Sequence, residues 1–397
     1  MKQKIAVIGL GYVGLPLAVA AAECDFEVIG IDINKTVVKS LNLGVSSIED
    51  VSNIQLANVL KNGKFTATTS YDELKNIEYF VICVPTPLTE SRSPDLSYLE
   101  SAARSIARVL SKGCLVILES TVEPGTTRDF LLPILMGESG LNSSEFDLAF
   151  SPERIDPGNP TWNLQNTPKI VSGLTPKAKT RAMEFYSSFV SHLIESNSVE
   201  VAEVAKLLEN SYRLINISFI NEFSEVCEKL GVEANEVIQL ASSKPYGFME
   251  FYPSLGVGGH CIPVDPLYLT HRANLVGSAS KFIDLAFEVN DNRPKYFVLK
   301  AEKVLKGLNQ KKILVIGVAY KSNTSDTRET PAKSLILQLR QKGAKVFWHD
   351  DLVKQWNHEN STPLGVNFDL AILVTPHDYL DLTSLGDIPM LNTRMSL

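Results

Sequence analysis

The sequence predicts an α/β protein with two Rossmann-like, doubly wound parallel-sheet domains joined by a long central helix. Short β-branched runs that end in glycine occur near both ends of the chain, at 4–9 and 311–317. Each run is followed by alternating helical and strand-like segments, which is typical of a parallel sheet covered by helices on both faces. Between these regions, residues 199–230 are apolar at helical spacing and contain no Gly or Pro. Such a helix is too long for an ordinary domain core and indicates a connection between domains.

The predicted elements follow in chain order. In the first domain, the predicted strands cover 4–9, 27–32, 79–84 and 114–119, with an Ala-rich helix at 15–23. The later predicted elements are helices at 199–230, 280–307 and 331–342 and strands at 311–317, 344–349 and 368–374. We therefore predict three parts, 1–198, 199–307 and 308–397, of which the central one is also a dimerisation surface. The active site is expected in the cleft between the two α/β domains.

Composition excludes several classes of function. The 397 residues have a net charge of -7, which argues against a nucleic-acid-binding protein. No apolar run approaches the ~20 residues of a membrane span, and residues 1–9 lead into a strand without a targeting segment. The cysteines number five, an odd count, and form no CxxC pair, which argues against a disulfide framework and a zinc ribbon. We therefore expect a cytoplasmic protein that contains no metal site and does not bind membranes.

A dinucleotide-binding motif opens the first domain. Residues 9–14 have the sequence GLGYVG between a predicted strand and a predicted helix, and Asp32 stands at the end of the next strand. In this setting the glycines allow a tight turn and a close approach to pyrophosphate, and the carboxylate binds a ribose hydroxyl. Because a carboxylate there repels a 2′-phosphate, the sequence predicts NAD rather than NADP. The predicted contacts in the loop are Gly9, Gly11, Tyr12, Val13 and Gly14.

Candidate catalytic groups lie after residue 200. Cys261 is in the glycine-rich segment GVGGHCIPVD, with Asp265 four residues later. The other four cysteines lie in strand-like or helix-like runs, and we assign them to packing. Lys206 and Asn210 stand at i and i+4 on the predicted central helix and project from one face. A Lys–Asn pair at this spacing is ordinarily a solvated surface feature, so the spacing alone leaves its role open.

Seven segments together resemble the UDP-glucose/GDP-mannose dehydrogenase family, whose members oxidise a sugar 6-hydroxyl twice to a carboxylate. They occur in the family's order over nearly the whole chain. The segments are GLGYVG at 9–14, VPTP at 84–87, ESTVEPGTT at 119–127, SPER at 151–154, the segment with Lys206 and Asn210, GVGGHCIPVD at 256–265 and GVAYKSNTSDTRETP at 317–331. The resemblance implies NAD binding by 1–198 and sugar-nucleotide binding by 308–397.

The resemblance also implies roles for individual residues. Cys261 would trap the aldehyde from the first oxidation as a thiohemiacetal, and a second hydride transfer would give a thioester that water hydrolyses. Lys206 and Asn210 would stabilise oxyanionic intermediates. The groups expected to handle water and its protons are Asp265, Glu153 and Thr121. The further cofactor contacts expected are Thr86, Thr121 and Arg328, and the expected substrate contacts are Glu153, Arg154, Lys206, Asn210, Tyr252, Gly258 and Lys321.

Two segments point to one subgroup of the family. SPERIDPGN at 151–159 and the long segment at 244–269 resemble bacterial UDP-N-acetylglucosamine 6-dehydrogenases. UDP-glucose enzymes instead have a PEFLREG pattern and an arginine upstream of the cysteine segment, and no arginine occurs between Arg213 and Arg272. We therefore expect oxidation of UDP-N-acetylglucosamine for surface polysaccharide synthesis. UDP-N-acetylmannosamine is a close alternative, and UDP-glucose is a weaker one.

Two functions outside this class are the remote alternatives. A single-step hydroxy-acid dehydrogenase of the 6-phosphogluconate type shares a Rossmann domain and a long helix, but it has no catalytic cysteine. A non-catalytic binding protein would need broken motifs, and all seven are intact. The expected partners are a UDP-sugar and further copies of the chain, in a homodimer or higher homo-oligomer. The family commonly continues after the strand-like segment at 388–394, so we expect the last helix to be short or missing.

Overall fold

The computed structural model describes residues 3–48, 50–156, 159 and 161–394, and the chain divides into two compact units, 1–208 and 209–397. The division falls inside the predicted central helix. The predicted boundaries at 198/199 and 307/308 stay predictions. In the SPERIDPGN segment, Pro157 and Gly158 lie outside the described residues, as do the last three residues of the chain.

The first unit is built on a large sheet and the helices that cover it. Its strands are β1 (Lys4–Ile8), β2 (Glu27–Ile31), β3 (Phe65–Thr68), β4 (Tyr79–Ile82), β5 (Leu115–Leu118), β6 (Asp147–Phe150), β7 (Lys169–Gly173) and β8 (Leu193–Glu195). Its helices are α1 (Gly14–Glu23), α2 (Lys35–Asn42), α3 (Asn53–Lys61), α4 (Ser97–Ala107), α5 (Leu132–Ser139) and α6 (Pro176–Ser187). The sheet order is β3-β2-β1-β4-β5-β6-β7-β8, with parallel neighbours except at β6 and β7. The first six strands have the order of doubly wound dinucleotide-binding folds.

Helices cover both faces of this sheet because its strands are apolar on both sides. Along β1, Ile5 and Val7 join one core with side chains of α1 and α6, whereas Ala6 and Ile8 join a second core with side chains of α4 and α5. A strand that is buried on both faces has a continuous apolar sequence, as this one does. The predicted α/β fold class is confirmed in this unit.

The central helix, α7 (Val199–Leu230), has the predicted bounds. Its 32 residues span roughly 48 Å at about 1.5 Å per residue. The helix runs unbroken because the segment contains neither Gly nor Pro. In the first unit, Val199 and Ala202 of α7 join the core that contains α4, and in the second unit Leu214 joins a smaller apolar cluster.

The second unit contains a smaller parallel sheet. Its strands are β9 (Lys312–Ile316), β10 (Lys345–His349), β11 (Gln355–Trp356), β12 (Glu359–Asn360), β13 (Leu370–Leu373) and β14 (Met390–Asn392). Its helices after α7 are α8 (Ala234–Ser242), α9 (Asp265–Leu275), α10 (Lys281–Leu305) and α11 (Pro331–Gln341). The sheet order β10-β9-β13-β14 is parallel throughout, and β11 pairs with β12 as a short antiparallel ribbon. One face of the sheet packs on α10 and α11, and the other packs on apolar side chains of the segments around β13, so a second parallel sheet is confirmed.

The predicted elements lie within two residues of the observed bounds at either end. The helices α2 to α6, α8 and α9 and the strands β3, β6 to β8, β11 and β12 were not predicted individually, whereas β14 lies within the strand-like segment at 388–394. After β14, the described chain continues only to Arg394, and no helix follows in that part. Across the described residues, no helix is both long and apolar enough to cross a membrane.

Candidate active site

Two glycines of the GLGYVG segment are required by packing in the first unit. Gly9 follows β1 with a φ of +92°, and a side chain there would meet the carbonyl group of Cys83. A side chain at Gly14, the first residue of α1, would collide with the carbonyl oxygen of Gly9. Both positions therefore need glycine so that helix and strand can approach closely.

Gly11 differs from these two glycines. Apart from Gly11 and its two chain neighbours, no atom of the described residues would lie within 4 Å of a β-carbon at Gly11, so the fold itself does not require glycine there. The open space fits a loop whose backbone must be approached by a pyrophosphate at a helix N-terminus. Tyr12 packs against the neighbouring core, and Val13 is the N-cap of α1.

Asp32 stands beside this loop. It follows β2 and is partly exposed, and its two oxygens accept hydrogen bonds from the backbone N–H groups of Leu10 (3.0 Å) and Asn34 (2.8 Å). The carboxylate therefore contacts the glycine loop while part of it stays accessible to a ribose hydroxyl. The residues at this edge fit NAD, the predicted cofactor.

Two further motifs meet where β4 and β5 end. The hydroxyl of Thr86 donates to the carbonyl oxygen of Thr121 (2.7 Å), and the hydroxyl of Ser120 donates to that of Val84 (2.7 Å). The strands β1, β4 and β5 are parallel neighbours, so their carboxyl ends share one edge of the sheet. The predicted contacts Thr86 and Thr121 therefore lie at the same edge as the dinucleotide loop.

The loop after Thr121 is fixed by a buried carboxylate that the sequence analysis did not single out. Glu203 on α7 accepts hydrogen bonds from the N–H groups of Gly125 (2.6 Å) and Thr127 (3.0 Å) and from the Thr127 hydroxyl (2.6 Å). Burial raises the pKa of Glu203, and the hydrogen bonds oppose the rise. Lys206 is buried one turn later on the same helix, so this anchor also fixes the position of its backbone.

Charged residues that follow β6 meet the start of β7. Glu153 accepts hydrogen bonds from the backbone N–H groups of Arg154 and Ile155 (both 2.6 Å), and its other oxygen lies 3.4 Å from Nζ of Lys169. The guanidinium of Arg154 donates to the carbonyl oxygen of Pro168 (2.7 Å). Both residues are predicted substrate contacts, and both are held by the segment that begins β7.

In the second unit, predicted catalytic groups of α7 and of the cysteine segment meet. The amide of Asn210 donates to the carboxylate of Asp265 (2.6 Å), and both side chains are buried. Asp265 begins α9, and its N–H donates to the carbonyl oxygen of Cys261 (2.8 Å). Cys261 is partly exposed, and its Sγ lies 3.2 Å from Nδ1 of His260. His260, which was not among the residues predicted from the sequence, is at hydrogen-bond distance for taking the thiol proton.

The loop before the cysteine is held by polar groups of two helices. The N–H of Val257 donates to the side chain of Asn290 on α10 (2.7 Å), and the N–H of Ser254 donates to that of Asn221 on α7 (2.8 Å). Arg293 on α10 is buried and donates to the carbonyl oxygen of Ser254 (3.1 Å). The sequence signal for these residues was weak, because each is a single polar residue within an amphipathic helix.

The segment 317–331 reaches the same loop. The N–H of Gly259 donates to the carbonyl oxygen of Arg328 (3.0 Å), and a side chain at Gly258 would meet Tyr320. The guanidinium of Arg328 donates to both oxygens of the Asp326 carboxylate. Two of the seven segments are therefore joined within the second unit, and the predicted cofactor contact of Arg328 stays a prediction.

The remaining predicted substrate contacts lie in these loops. Lys321 is half-buried, and its carbonyl oxygen accepts a hydrogen bond from the hydroxyl of Thr324 (3.2 Å). Tyr252 is exposed, and its hydroxyl donates to the carboxylate of Glu250 (2.8 Å). Their contacts with a sugar nucleotide stay predictions.

All five cysteines are free thiols. Cys114 and Cys227 are buried and Cys83 is half-buried against a core, in line with packing. The packing assignment is wrong for Cys24, which is exposed because it lies at the C-terminal end of α1. Within the part of the chain that the structure describes, no three His, Cys, Asp or Glu side chains form a group that could hold a metal ion.

Known proteins resemble the chain over nearly its full length. It matches three domains of the UDP-glucose/GDP-mannose dehydrogenase family, the NAD binding domain over 3–190, the central domain over 200–292 and the UDP binding domain over 314–393. UDP-N-acetyl-D-mannosamine dehydrogenase of Pyrococcus horikoshii is 37% identical over 94% of this chain and 89% of that protein. UDP-N-acetyl-D-glucosamine 6-dehydrogenase of Pseudomonas aeruginosa is 35% identical over 94% of this chain and 90% of that protein. The solved UDP-D-ManNAc dehydrogenase from P. horikoshii superposes with a TM-score of 0.92 at 33% identity, covering 100% of this chain and 96% of that one.

Proposed function

Because the chain belongs to the UDP-glucose/GDP-mannose dehydrogenase family, we propose that it oxidises the 6-hydroxyl of a UDP-N-acetylhexosamine to a carboxylate. As a family member, it has an NAD-binding and a UDP-binding domain and is an NAD-dependent UDP-sugar dehydrogenase. The observation that carries the proposal is the buried hydrogen bond between Asn210 and Asp265. It joins two predicted catalytic segments whose residues are 55 positions apart.

Cys261 is the proposed nucleophile of the second oxidation. His260 takes the thiol proton, and the thiolate attacks the aldehyde carbonyl to form a thiohemiacetal. NAD held by the glycine loop and Asp32 would supply the hydride acceptor for both oxidations. Loss of the second hydride leaves a thioester on Cys261, and water then displaces the thiolate and gives the carboxylate. Four electrons leave the sugar in two pairs, so two NADH form per carboxylate.

Lys206 and Asn210 are the proposed groups that stabilise the oxyanionic intermediates. They stand at i and i+4 on α7 and are only 8% and 7% exposed, so they are not the solvated pair that this spacing usually gives. Asp265 accepts one N–H of the Asn210 amide, which leaves the second N–H to donate to an oxyanion. Asp265, together with Glu153 and Thr121, is proposed to handle the attacking water and its protons.

The sugar is proposed to be an N-acetylhexosamine, with UDP-N-acetylmannosamine as the first candidate. The substrate predicted from the sequence was UDP-N-acetylglucosamine. The relatives named for the mannosamine compound, at 37% identity and with a TM-score of 0.92, favour that epimer slightly over the glucosamine compound, two relatives of which are 35% and 36% identical. The product would be the corresponding uronic acid, a precursor of surface polysaccharide.

The test is NADH formation measured side by side with UDP-N-acetylmannosamine, UDP-N-acetylglucosamine, UDP-N-acetylgalactosamine and UDP-glucose. We expect the highest kcat/KM with UDP-N-acetylmannosamine and two NADH per sugar consumed. A preference for UDP-glucose would contradict the proposed substrate class. One NADH per sugar would favour the single-step hydroxy-acid type of dehydrogenase.

The enzyme is further proposed to work as a homodimer or higher homo-oligomer. On the part of α7 in the second unit, Tyr212, Phe219 and Val226 recur every seven residues and are 44%, 62% and 47% exposed. A stripe of exposed apolar side chains on one helix supports an interface between copies of the chain. The five free thiols fit the reducing cytoplasm, the proposed location.

A further inference from the structure

A buried group of charged side chains in the first unit contacts the predicted site residue Glu153. Glu119 directly follows β5, Lys169 begins β7, and Tyr186 lies on α6. The strand β7 runs antiparallel to β6, which brings the start of β7 beside the residues that follow β6. If β7 were parallel, Lys169 would lie at the opposite edge of the sheet, away from the carboxyl ends of β5 and β6.

Lys169 contacts two carboxylates at once. Its Nζ lies 3.2 Å from Oε1 of Glu119 and 3.4 Å from Oε2 of Glu153, and its side chain is only 4% exposed. The hydroxyl of Tyr186 donates to the same oxygen of Glu119, and the Lys169 ammonium lies 4.9 Å from the centre of the Tyr186 ring. One cation therefore faces two carboxylates in a buried setting, which disfavours two ionised carboxylates.

Glu119 is the member of this group that is best placed to carry a proton. Its Oε2 is buried and has no hydrogen-bond partner among the described residues. Burial raises the pKa of Glu119 to about 7, although the charge of Lys169 opposes the rise. The other titratable groups that face it are Glu153, Tyr186 and the Cys83 thiol. Burial raises the pKa of Tyr186 and of Cys83 well above their ordinary values, so both stay uncharged near pH 7.

Glu153 is held differently. One of its oxygens accepts two backbone hydrogen bonds of 2.6 Å, and the other faces the Lys169 ammonium. These contacts fix both oxygens of the carboxylate. Loss of the ammonium would leave one oxygen free to turn away.

We propose that Lys169 is a positioning residue that holds the carboxylate of Glu153, and that Glu119 is the group of this cluster that binds and releases a proton, which changes how the Lys169 ammonium is shared. The proton exchanges with solvent, and no bond to carbon is involved. The inference rests on the proposed function, in which Glu153 handles the attacking water. Below pH 7 Glu119 is neutral, so the Lys169 ammonium pairs only with the carboxylate of Glu153. Above pH 7 Glu119 is ionised, and the Lys169 ammonium then pairs with both carboxylates.

The experiment compares Lys169→Met, Lys169→Arg and Glu119→Gln with a matched surface control. The control is Lys179→Met, which removes an ammonium paired with Glu195 (2.8 Å) on the same unit. We expect Lys169→Met to lower kcat about 100-fold, the size of effect that a misplaced reacting group causes, without a change in the KM for NAD. Lys169→Arg should restore most of the loss. Lys179→Met should behave as the wild type.

Glu119→Gln tests the proton-binding part. The kcat–pH profile of the wild type should change near pH 7, and this change should be absent in Glu119→Gln. A folded Lys169→Met variant with the kcat of the wild type, or a Glu119→Gln profile identical to that of the wild type, would overturn the inference. If Lys169→Met does not fold, the kcat of Lys169→Arg and the kcat–pH profile of Glu119→Gln test the inference instead.

Melting temperatures separate this inference from the proposed function, because they require no substrate. A carboxyl group whose pKa is raised by folding stabilises the protein below its ordinary pKa, and the stabilisation is lost as the pH rises through the raised value. The melting temperature of the wild type should therefore fall between about pH 4.5 and 7 more steeply than that of Glu119→Gln. Equal slopes would contradict the role of Glu119. Absence of NADH from every UDP-sugar would contradict the proposed function while leaving this measurement decisive.

Discussion

The two units place an aspartate at the same point of the fold but surround it differently. In the first unit, β1 leads into Gly9 (φ +92°), and β2 ends before Asp32, which is partly exposed. In the second unit, β9 leads into Gly317 (φ +85°), and β10 ends before Asp350, which is buried. The two strand–turn arrangements are therefore alike up to the carboxylate.

Protein donors occupy the hydrogen-bonding positions of the buried Asp350 carboxylate, so it is not accessible to a ligand. It accepts hydrogen bonds from the N–H groups of Val318 (2.9 Å) and Ala319 (3.1 Å) and from Nε2 of His377 (3.0 Å). His377 carries its proton on Nε2, because its Nδ1 accepts the N–H of Asn323 (2.9 Å). Burial alone would raise the pKa of Asp350, but these hydrogen bonds outweigh burial and hold it at about 2. A glycine turn and a strand-end aspartate thus indicate a dinucleotide site only where the carboxylate stays accessible.

The largest expected effect in this comparison is on folding. Asp350→Ala would leave several buried donors without a partner, so we expect the free energy of unfolding to fall by about 4 kcal/mol. Denaturant unfolding of the full chain measures this change. The control is Asp351→Ala, whose carboxylate is more exposed and pairs with His349 at 3.3 Å. It should cost less than about 1 kcal/mol. Equal losses of unfolding free energy in Asp350→Ala and Asp351→Ala would contradict a special role of the buried Asp350 carboxylate.

A smaller effect is expected at Asp32, and it should appear in binding. Asp32→Ala removes a charged acceptor for a ribose hydroxyl, which corresponds to about a 10- to 100-fold increase in the Kd for NAD. The carboxylate is partly exposed, so the free energy of unfolding should fall by only about 1 kcal/mol. Calorimetric titration with NAD measures the first change. Unchanged NAD affinity would show that the two aspartates are alike in function.

The smallest expected effect is at Gly11. Beyond its chain neighbours, no atom of the described residues lies within 4 Å of a β-carbon placed there, so Gly11→Ala should change the free energy of unfolding by less than about 0.5 kcal/mol. The added methyl group should still weaken NAD binding by about tenfold, because it occupies the space of the pyrophosphate. Gly14→Ala is the contrasting variant, since its side chain would collide with Gly9. If Gly11→Ala unfolded as readily as Gly14→Ala, the assignment of the open space to a ligand would be wrong.

The fold could be predicted because its signals are local in the sequence. Buried strands such as β1 and β9 are short apolar runs that end in glycine, and α7 is a long run without Gly or Pro. The direction of β7 could not be predicted in this way. It depends on the long connection after β6, and it decides which edge of the sheet Lys169 reaches.

The candidate site was predictable only in part, for a similar reason. Cys261, Asn210 and Asp265 stand in segments that resemble a known family, whereas Glu203 and Lys169 look like ordinary charged residues. Glu203 contacts Thr127 across 76 positions, and such a long-range contact has no local sequence signal. These charged side chains hold parts of the site in place because they are buried, and their burial depends on tertiary packing rather than on the local sequence.

The central claim is that Cys261 carries the second oxidation, and a rapid-mixing measurement of NADH per active site with Cys261→Ser tests it most directly. With a UDP-N-acetylhexosamine and excess NAD, the wild type should turn over with two NADH per sugar. The serine variant should form about one NADH per active site and then stall without releasing carboxylate, because a serine hydroxyl is far less acidic than a thiol and is a poor nucleophile even beside His260. Continued production of two NADH per sugar by Cys261→Ser at the wild-type rate would contradict the account.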